Sequence, residues 1–211
     1  MDAIPKSGYT LPNRLARITL LAIEEMLGPL GMQALLNLAH LSYLIDNYPP
    51  ANLERGFDFS EYSALNLGLE DLYGPRGGRG FALRAGRATF SQALSNFGAL
   101  AGTADMAFKI LPLNTKLKIA LPAMARIFSK ISDQTSSVEE EQHEFHYIVH
   151  RNAVCWGRSG EEKPVCYLWV GLLQEAMHSI SGGREFRVDE AECHAAGGEV
   201  CRFLLQKEPI S

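Results

Sequence analysis

Three cysteines and one acidic residue near the C-terminal end of the chain have the types and spacing of a metal site. The thiols are Cys166, Cys193 and Cys201, and Glu190 lies three positions before Cys193. Thiolate sulfur and carboxylate oxygen both bind Zn²⁺, and four protein ligands close a tetrahedral structural site. The chain has no CxxC pair, and free cysteines are often small buried side chains. The spacing alone therefore fits a metal site and packed thiols equally well.

A helix is predicted to position the first of these cysteines. Pro164 fits the first turn of a helix, apolar residues continue at helical spacing, and Gly182 and Gly183 end it. Cys166 then lies at the N-terminus of this helix, over residues 164–181. The backbone field at that position favours a thiolate.

Two strands are predicted to position the remaining metal-ligand candidates. Residues 185–192 and 200–206 read as strands, and glycines 197–198 predict a tight turn between them. Glu190 and Cys193 are an odd number of positions apart, so a regular strand would direct them to opposite faces. We therefore expect a bulge or a turn after Glu190.

A further strand is predicted over residues 144–156, where apolar and polar side chains alternate. Phe145 and Tyr147 would face one side of a sheet and His146 the other. Cys155 falls at the end of this strand, and we interpret it as a packing residue.

The first two thirds of the chain are predicted to be mainly helical. Apolar residues recur at helical spacing in five segments. These segments are 11–28, 30–45, 59–73, 81–97 and 117–131. Residues 99–113 fit either a short helix or a lid over a cavity, and 132–141 read as a solvated loop. The Gly/Arg segment 74–80 lacks the Lys-Ser/Thr ending of a P-loop and follows no strand, so it is interpreted as a flexible turn.

Composition narrows the class of protein. The chain has 211 residues and a formal net charge of -4, with a pI near 5.9, so no overall basic surface favours nucleic acid as a partner. The first residues lack the layout of a secretory signal, and no apolar run approaches the roughly 18 residues that suggest a membrane span. A cytoplasmic location follows, where cysteines are thiols or metal ligands rather than disulfides.

The segment from Phe145 to Phe203 resembles the 4-vinyl-reductase family of small-molecule-binding domains. The motifs that carry the resemblance are Pro164-Val-Cys166, Gly171-Leu-Leu173, Gly182-Gly183, Glu190 to Gly198 and Cys201-Arg-Phe203. Upstream, Leu69 to Gly74 and Leu83 to Arg87 also look like this family. The resemblance implies an α/β (α+β) fold, in which a helical N-terminal part packs on a small antiparallel sheet and encloses an apolar pocket. It is related in fold to haem nitric-oxide sensors, phenol-sensing domains and vesicle-tethering TRAPP subunits.

The resemblance also implies a metal and an organisation. Phenol- and xylene-sensing members hold Zn²⁺ through Cys, Glu, Cys and Cys. The matching positions here are Cys166, Glu190, Cys193 and Cys201. Four protein ligands leave no open position for a catalytic water, so the Zn²⁺ is expected to be structural. We divide the chain into an N-terminal helical segment, 1–57, and a ligand-binding domain, 58–211, which together form one unit.

The favoured function is a binding module, expected to be a homodimer, that holds an aromatic or otherwise apolar small molecule. A tetrapyrrole intermediate is one candidate ligand. Helices rich in Ala and Gly can leave a cavity of suitable size. Phe145, Tyr147 and Trp169 are the candidate ligand-binding residues.

Three other functions are compatible with parts of the sequence. An enzyme or accessory protein of (bacterio)chlorophyll vinyl-group reduction fits the family, although no nicotinamide or flavin fingerprint is visible. Binding is therefore favoured over catalysis. A haem gas sensor would need an axial histidine, with His146, His150 and His178 as candidates. A tethering subunit would have a filled core.

Overall fold

Five α-helices and six β-strands form the described part of the protein, residues 3–97 and 106–210 of a computed structural model. The helices are α1 (Asn13–Leu38), α2 (Phe59–Phe97), α3 (Met106–Lys109), α4 (Leu113–Ile131) and α5 (Tyr167–Ser181). The strands are β1 (Thr10–Pro12), β2 (Arg55–Asp58), β3 (Ser136–Glu140), β4 (Glu144–Val149), β5 (Phe186–Glu192) and β6 (Cys201–Pro209). Two short 3₁₀ helices cover Ser42–Leu44 and His194–Ala196. The predicted α+β class is confirmed.

The main sheet is antiparallel, with strand order β3-β4-β6-β5. Tyr147 of β4 lies opposite Phe203 of β6, and Phe145 lies opposite Leu205. All four side chains are fully buried, because alternate residues of each strand face the helices. The predicted alternation in β4 is confirmed, although the strand ends at Val149 and not at Trp156.

β3 is a strand that the sequence prediction assigned to a solvated loop. Ser136–Glu140 pairs with β4 along its whole length. Its side chains are half-buried or exposed, and Glu139 and Glu140 form ion pairs with basic residues. An edge strand that carries charge resembles a loop in sequence, because charged residues are a common way of protecting a sheet edge.

Both long helices bend at a Gly-Pro pair. Gly28 has φ 71° and ψ 168°, and Gly74 has φ 71° and ψ 167°, a conformation that favours glycine. The predicted helix stops at these two residues are confirmed. Residues 75–80, predicted as a flexible turn, instead continue α2 as a second helical segment. A Cβ at Gly78 would lie 2.5 Å from the Cα of Glu70, so the segments fold closely onto each other.

α1 has the length and composition of a membrane-crossing helix, although the sequence was predicted to contain no such run. The difference arises because α1 joins two predicted helices. The bend divides it into residues 13–27 and 29–38, and each part is shorter than the roughly 20 residues that span a bilayer. Leu20, Ile23 and Leu35 are fully buried in the protein. These features favour a core helix.

The predicted segments 1–57 and 58–211 share one hydrophobic core, which continues from α1 to the sheet. β1 pairs with β2 across the predicted boundary. The boundary itself stays a prediction.

A capping box begins α2. The Asp58 carboxylate accepts hydrogen bonds from the backbone N–H groups of Ser7, Gly8 and Ser60 and from both serine hydroxyls. Glu61 accepts from the N–H of Asp58 in return, at 3.0 Å. Burial acts to raise the pKa of Asp58, but these hydrogen bonds outweigh it and lower the pKa to about 2. The ionised carboxylate therefore holds the N-terminal segment against α2.

We predict that Asp58→Asn lowers the free energy of unfolding at pH 7 by about 1–2 kcal/mol, as loss of a helix cap does. The folded pKa of about 2 lies below the usual value of 3.8, so the charge stabilises the fold above about pH 4. That contribution disappears as the pH falls toward 2. Urea unfolding at several pH values measures it, with the exposed Asp71→Asn on α2 as control. An Asp58→Asn difference independent of pH would contradict the prediction.

Candidate metal centre and ligand cavity

Four buried cysteines lie together between the start of α5 and the end of the sheet. The sulfur atoms of Cys155, Cys166, Cys193 and Cys201 all lie within 4.8 Å of one another. The Sγ–Sγ distances are 3.6 Å for Cys155 and Cys201, 3.7 Å for Cys166 and Cys193, and 3.9 Å for Cys166 and Cys201. Zn–S bonds of about 2.3 Å in a tetrahedron give sulfur separations of about 3.8 Å. This four-cysteine cluster therefore fits a Zn²⁺ ion.

Each cysteine of the cluster comes from a different part of the fold. Cys155 lies in the turn after β4, and Cys166 directly precedes α5. Cys193 follows β5, and Cys201 begins β6 opposite Val149 on the core side of the sheet. The cluster joins the helical layer to two strand ends.

The irregularity expected after Glu190 is present. The pairing of β5 with β6 shifts register between Glu190 and Glu192, and the chain then leaves the strand into a 3₁₀ helix. This change of register brings Cys193 to the same side as Cys201. The predicted tight turn at 197–198 is only the end of a longer connection that includes that 3₁₀ helix.

Glu190 lies beside the cluster. Its Oε2 accepts a hydrogen bond of 2.7 Å from the N–H of Cys166, and its Oε1 is buried without a hydrogen-bond partner among the described residues. Burial raises the pKa of Glu190 to about 10, helped by negative charge on Cys193 and Cys201. The structure therefore groups three of the four predicted ligands and adds Cys155, the cysteine that the sequence led us to interpret as packing.

The thiols depend on one another electrostatically. Burial, then the hydrogen bond from Cys155, raises the pKa of the Cys166 thiol well above its usual value. Several thiolates cannot share a buried site unless a cation compensates their charge. Asn152, itself buried, donates a hydrogen bond of 3.3 Å to the sulfur of Cys166. These features suit a cluster that ionises when a divalent metal binds.

A buried ion-pair network fixes the turn that carries Cys155. The N–H of Arg158 donates to the carbonyl of Cys155, and its guanidinium pairs with Glu70 at 3.0 Å and Glu161 at 2.8 Å. The Arg158 side chain is only 3% exposed, so both carboxylates are needed to compensate its charge. Glu70 lies in α2 just before the Gly74 bend, which ties that bend to the cluster.

A cavity of about 430 Å³ lies between the helices, away from the four-cysteine cluster. Its described walls are mainly apolar and come from α1 to α5. The main wall residues are Phe90, Phe108, Ala120, Met124, Phe128 and Leu172. The signal for this wall was present in the 3–4 residue spacing of apolar side chains along α4, but that spacing predicts only a buried face.

The predicted ligand-binding residues lie behind this wall. Phe145, Tyr147 and Trp169 are buried, and none of them lines the cavity. The Trp169 ring packs 5.2 Å from Phe128, which does line it, and 5.5 Å from Tyr147. The assignment of these three residues as ligand contacts stays a prediction that the cavity does not support.

Part of the segment predicted as a short helix or a lid borders the cavity. Residues 106–109 form α3, and Phe108 and Lys109 line the cavity. Residues 98–105 lie outside the described part of the chain. The choice between helix and lid is therefore resolved only for α3.

No histidine is among the described residues that line the cavity. His146 and His178 instead pair with carboxylates, and His150 lies within hydrogen-bond distance of a serine hydroxyl. The described walls therefore offer no axial ligand for a haem.

α2 and α5 cross in direct backbone contact. A Cβ at Gly171 would meet the carbonyl oxygen of Leu83, and a Cβ at Gly86 would meet that of Leu168. Only glycine allows this approach. The crossing sets the distance between α2 and α5, and both helices line the cavity.

The arrangement of helices and sheet defines a known sensor fold. An unliganded Fe(II) H-NOX protein from K. algicida matches with a TM-score of 0.58 and 13% identity, over 95% of this chain and 98% of that chain. An Fe(II)NO H-NOX protein from S. oneidensis matches with a TM-score of 0.55 and 13% identity, over 92% and 98%. The phenol-responsive sensory domain of the transcription activator PoxR, solved with phenol, matches with a TM-score of 0.50 and 20% identity, over 72% and 77%.

Within that fold, residues 145–207 match the family model of the 4-vinyl-reductase domain. The protein thus carries a domain of this family, and the resemblance seen in the sequence is confirmed over this segment. The match covers β4, α5, β5 and β6, which carry all four clustered cysteines. No curated protein sequence matches the chain.

We predict that Gly171→Ala lowers the free energy of unfolding by about 1–3 kcal/mol, because the added methyl group overlaps a carbonyl oxygen that cannot rotate away. Gly80→Ala is the matched control. It lies on exposed helix with nothing within 4 Å of the new Cβ, so it should stabilise by about 0.5–1 kcal/mol. Urea unfolding followed by circular dichroism measures both. Equal effects at the two glycines would show that the crossing is not tight.

Proposed function

We propose that the protein is a small-molecule-binding domain that holds an apolar or aromatic ligand in the cavity. The observation that carries this proposal is the cavity itself, whose volume of about 430 Å³ lies in the range of ligand sites and whose walls are mainly apolar. The PoxR sensory domain, of similar fold, was solved with phenol. A cavity of about 150 Å³ is enough for benzene. The ligand here is therefore larger than one ring.

The fluorescence of Trp169 offers a direct test. Trp169 packs on Phe128 of the cavity wall, whereas Trp156 packs against Tyr9 and Phe59 elsewhere. A Trp156→Phe background therefore isolates the signal beside the cavity. Titration with naphthalene should give a saturable change, and a porphyrin titrated in the same way tests the tetrapyrrole candidate. The absence of saturable binding by any apolar probe would overturn the proposal.

We predict that Ala120→Phe weakens naphthalene binding at least tenfold, because its ring would occupy the cavity. Ala120 is buried and lines the cavity, so the added ring has space there and the protein should remain folded. Ile119→Phe is the matched control, since Ile119 is 47% exposed on the same helix. It should bind like the parent protein. Equal binding by the two variants would place the ligand elsewhere.

We further propose a structural Zn²⁺ held by Cys166, Cys193, Cys201 and Cys155. The resemblance placed Glu190 in the fourth position. Two features support Cys155 instead: its sulfur is 3.6 Å from that of Cys201, and Glu190 already accepts the N–H of Cys166. The buried Oε1 of Glu190 is the rival donor. With four protein ligands the metal would stabilise the fold and leave no position for a catalytic water.

The two coordination sets differ in the spectrum of the cobalt-substituted protein. Cys155→Ser should lower the thiolate-to-cobalt charge-transfer absorbance by about a quarter, because one of four thiolates is lost. Glu190→Gln should leave it unchanged, since the amide oxygen still accepts the Cys166 N–H. Cys193→Ala should lower both zinc content and melting temperature. Full absorbance in Cys155→Ser together with altered d–d bands in Glu190→Gln would assign the ligand to Glu190.

The remaining features of the proposal concern assembly and location. We expect a homodimer in the cytoplasm, as the resemblance implies. Analytical ultracentrifugation should then return twice the chain mass of 23.3 kDa. A role in vinyl-group reduction would require turnover of a divinyl chlorophyll precursor by the purified protein with NADPH, and we expect none.

A further inference from the structure

The cavity is apolar except for a positive region on its α3 and α4 side. Lys109 ends α3 and Lys116 lies in the first turn of α4, and both line the cavity. None of the described lining residues is acidic. The chain as a whole has 24 acidic and 20 basic residues, so a cavity lined by two lysines and no carboxylate departs from the overall balance.

The two lysines have no acidic partner among residues 3–97 and 106–210. Nearby, Lys118 pairs with Glu140 at 3.0 Å, and Lys207 pairs with the same carboxylate at 2.7 Å. Lys116 is half-buried and Lys109 is exposed. Their aliphatic stems can cover apolar surface while the ammonium groups stay near water.

The start of α4 adds to the positive potential. The helix begins after Pro112 with no side-chain cap, and its first turn contains no acidic residue. The positive end of the helix dipole is therefore not compensated by a neighbouring carboxylate of its own turn. Lys116 lies in that turn, so side-chain charge and helix dipole have the same sign at one place on the cavity wall.

We propose that the ligand is an amphipathic anion, with an apolar body in the cavity and a single carboxylate beside Lys116 and Lys109. This inference rests on the proposed function and adds the chemical class of the ligand. A head group at partly exposed lysines keeps access to water, which avoids the cost of burying its charge. The cavity is about three times the volume that holds benzene, which suits a medium-length acyl chain or a two-ring aromatic acid.

Decanoate and 1-decanol test the proposal, because they share a chain length and differ in head group. The readout is the ratio of their dissociation constants, measured by competition with the neutral dye Nile red. Partly exposed ion pairs are weak, so we expect decanoate to bind about five- to tenfold more tightly at low salt. The ratio should fall when salt screens the lysines.

Lys116→Met should lower the ratio toward one, and Lys109→Met should lower it less because Lys109 is more exposed. Lys118→Met is the charge-matched control on the same helix, outside the cavity lining, and should keep the parent ratio. A ratio near one in the parent protein, or a ratio unchanged in the Lys116→Met, Lys109→Met double variant, would overturn the inference and leave the proposed function standing. Failure of both compounds to displace the dye would overturn the proposed function itself.

Discussion

The rest of the structure depends on the crossing of α2 and α5 at Gly86 and Gly171, where backbone meets backbone. A side chain at either position would separate the helices by the width of a methyl group or more. Both helices line the cavity, and the residue before α5 is Cys166, so one contact sets the width of the cavity and the height of a thiol above the sheet. Interiors pack densely and transmit such displacements.

The cluster and the cavity lie at opposite ends of α5. Cys166 precedes its first turn, whereas Ser179 and Ile180 border the cavity near its last. Trp169 lies between them and packs on Phe128 and Phe203, so α5 is held against both α4 and the sheet. A change at one end therefore reaches the other through a single buried helix. This arrangement separates the group that stabilises the domain from the space that would receive a ligand.

The residues that were predicted correctly are those whose local pattern has one physical meaning. The alternation around Phe145 and Tyr147 predicts a strand with one buried face, and Gly-Pro at 28 and 74 predicts a helix stop. The position of Cys155 could not be predicted, because its contact with Cys201 depends on how a turn folds 46 residues away. The cavity wall is similar, since it is assembled from five helices and no single helix shows which of its buried residues border empty space.

The four-cysteine cluster also has a meaning for the unfolded chain. Cys155 and Cys201 are 46 residues apart and enclose almost the whole α5 and hairpin unit. An ion held by all four sulfurs would close this loop as a cross-link does, and a covalent link of that span removes about 4 kcal/mol of chain entropy from the unfolded state in the simplest account. A metal can dissociate where a disulfide cannot, so in a reducing compartment the same four thiols would provide a cross-link that is reversible and set by metal supply.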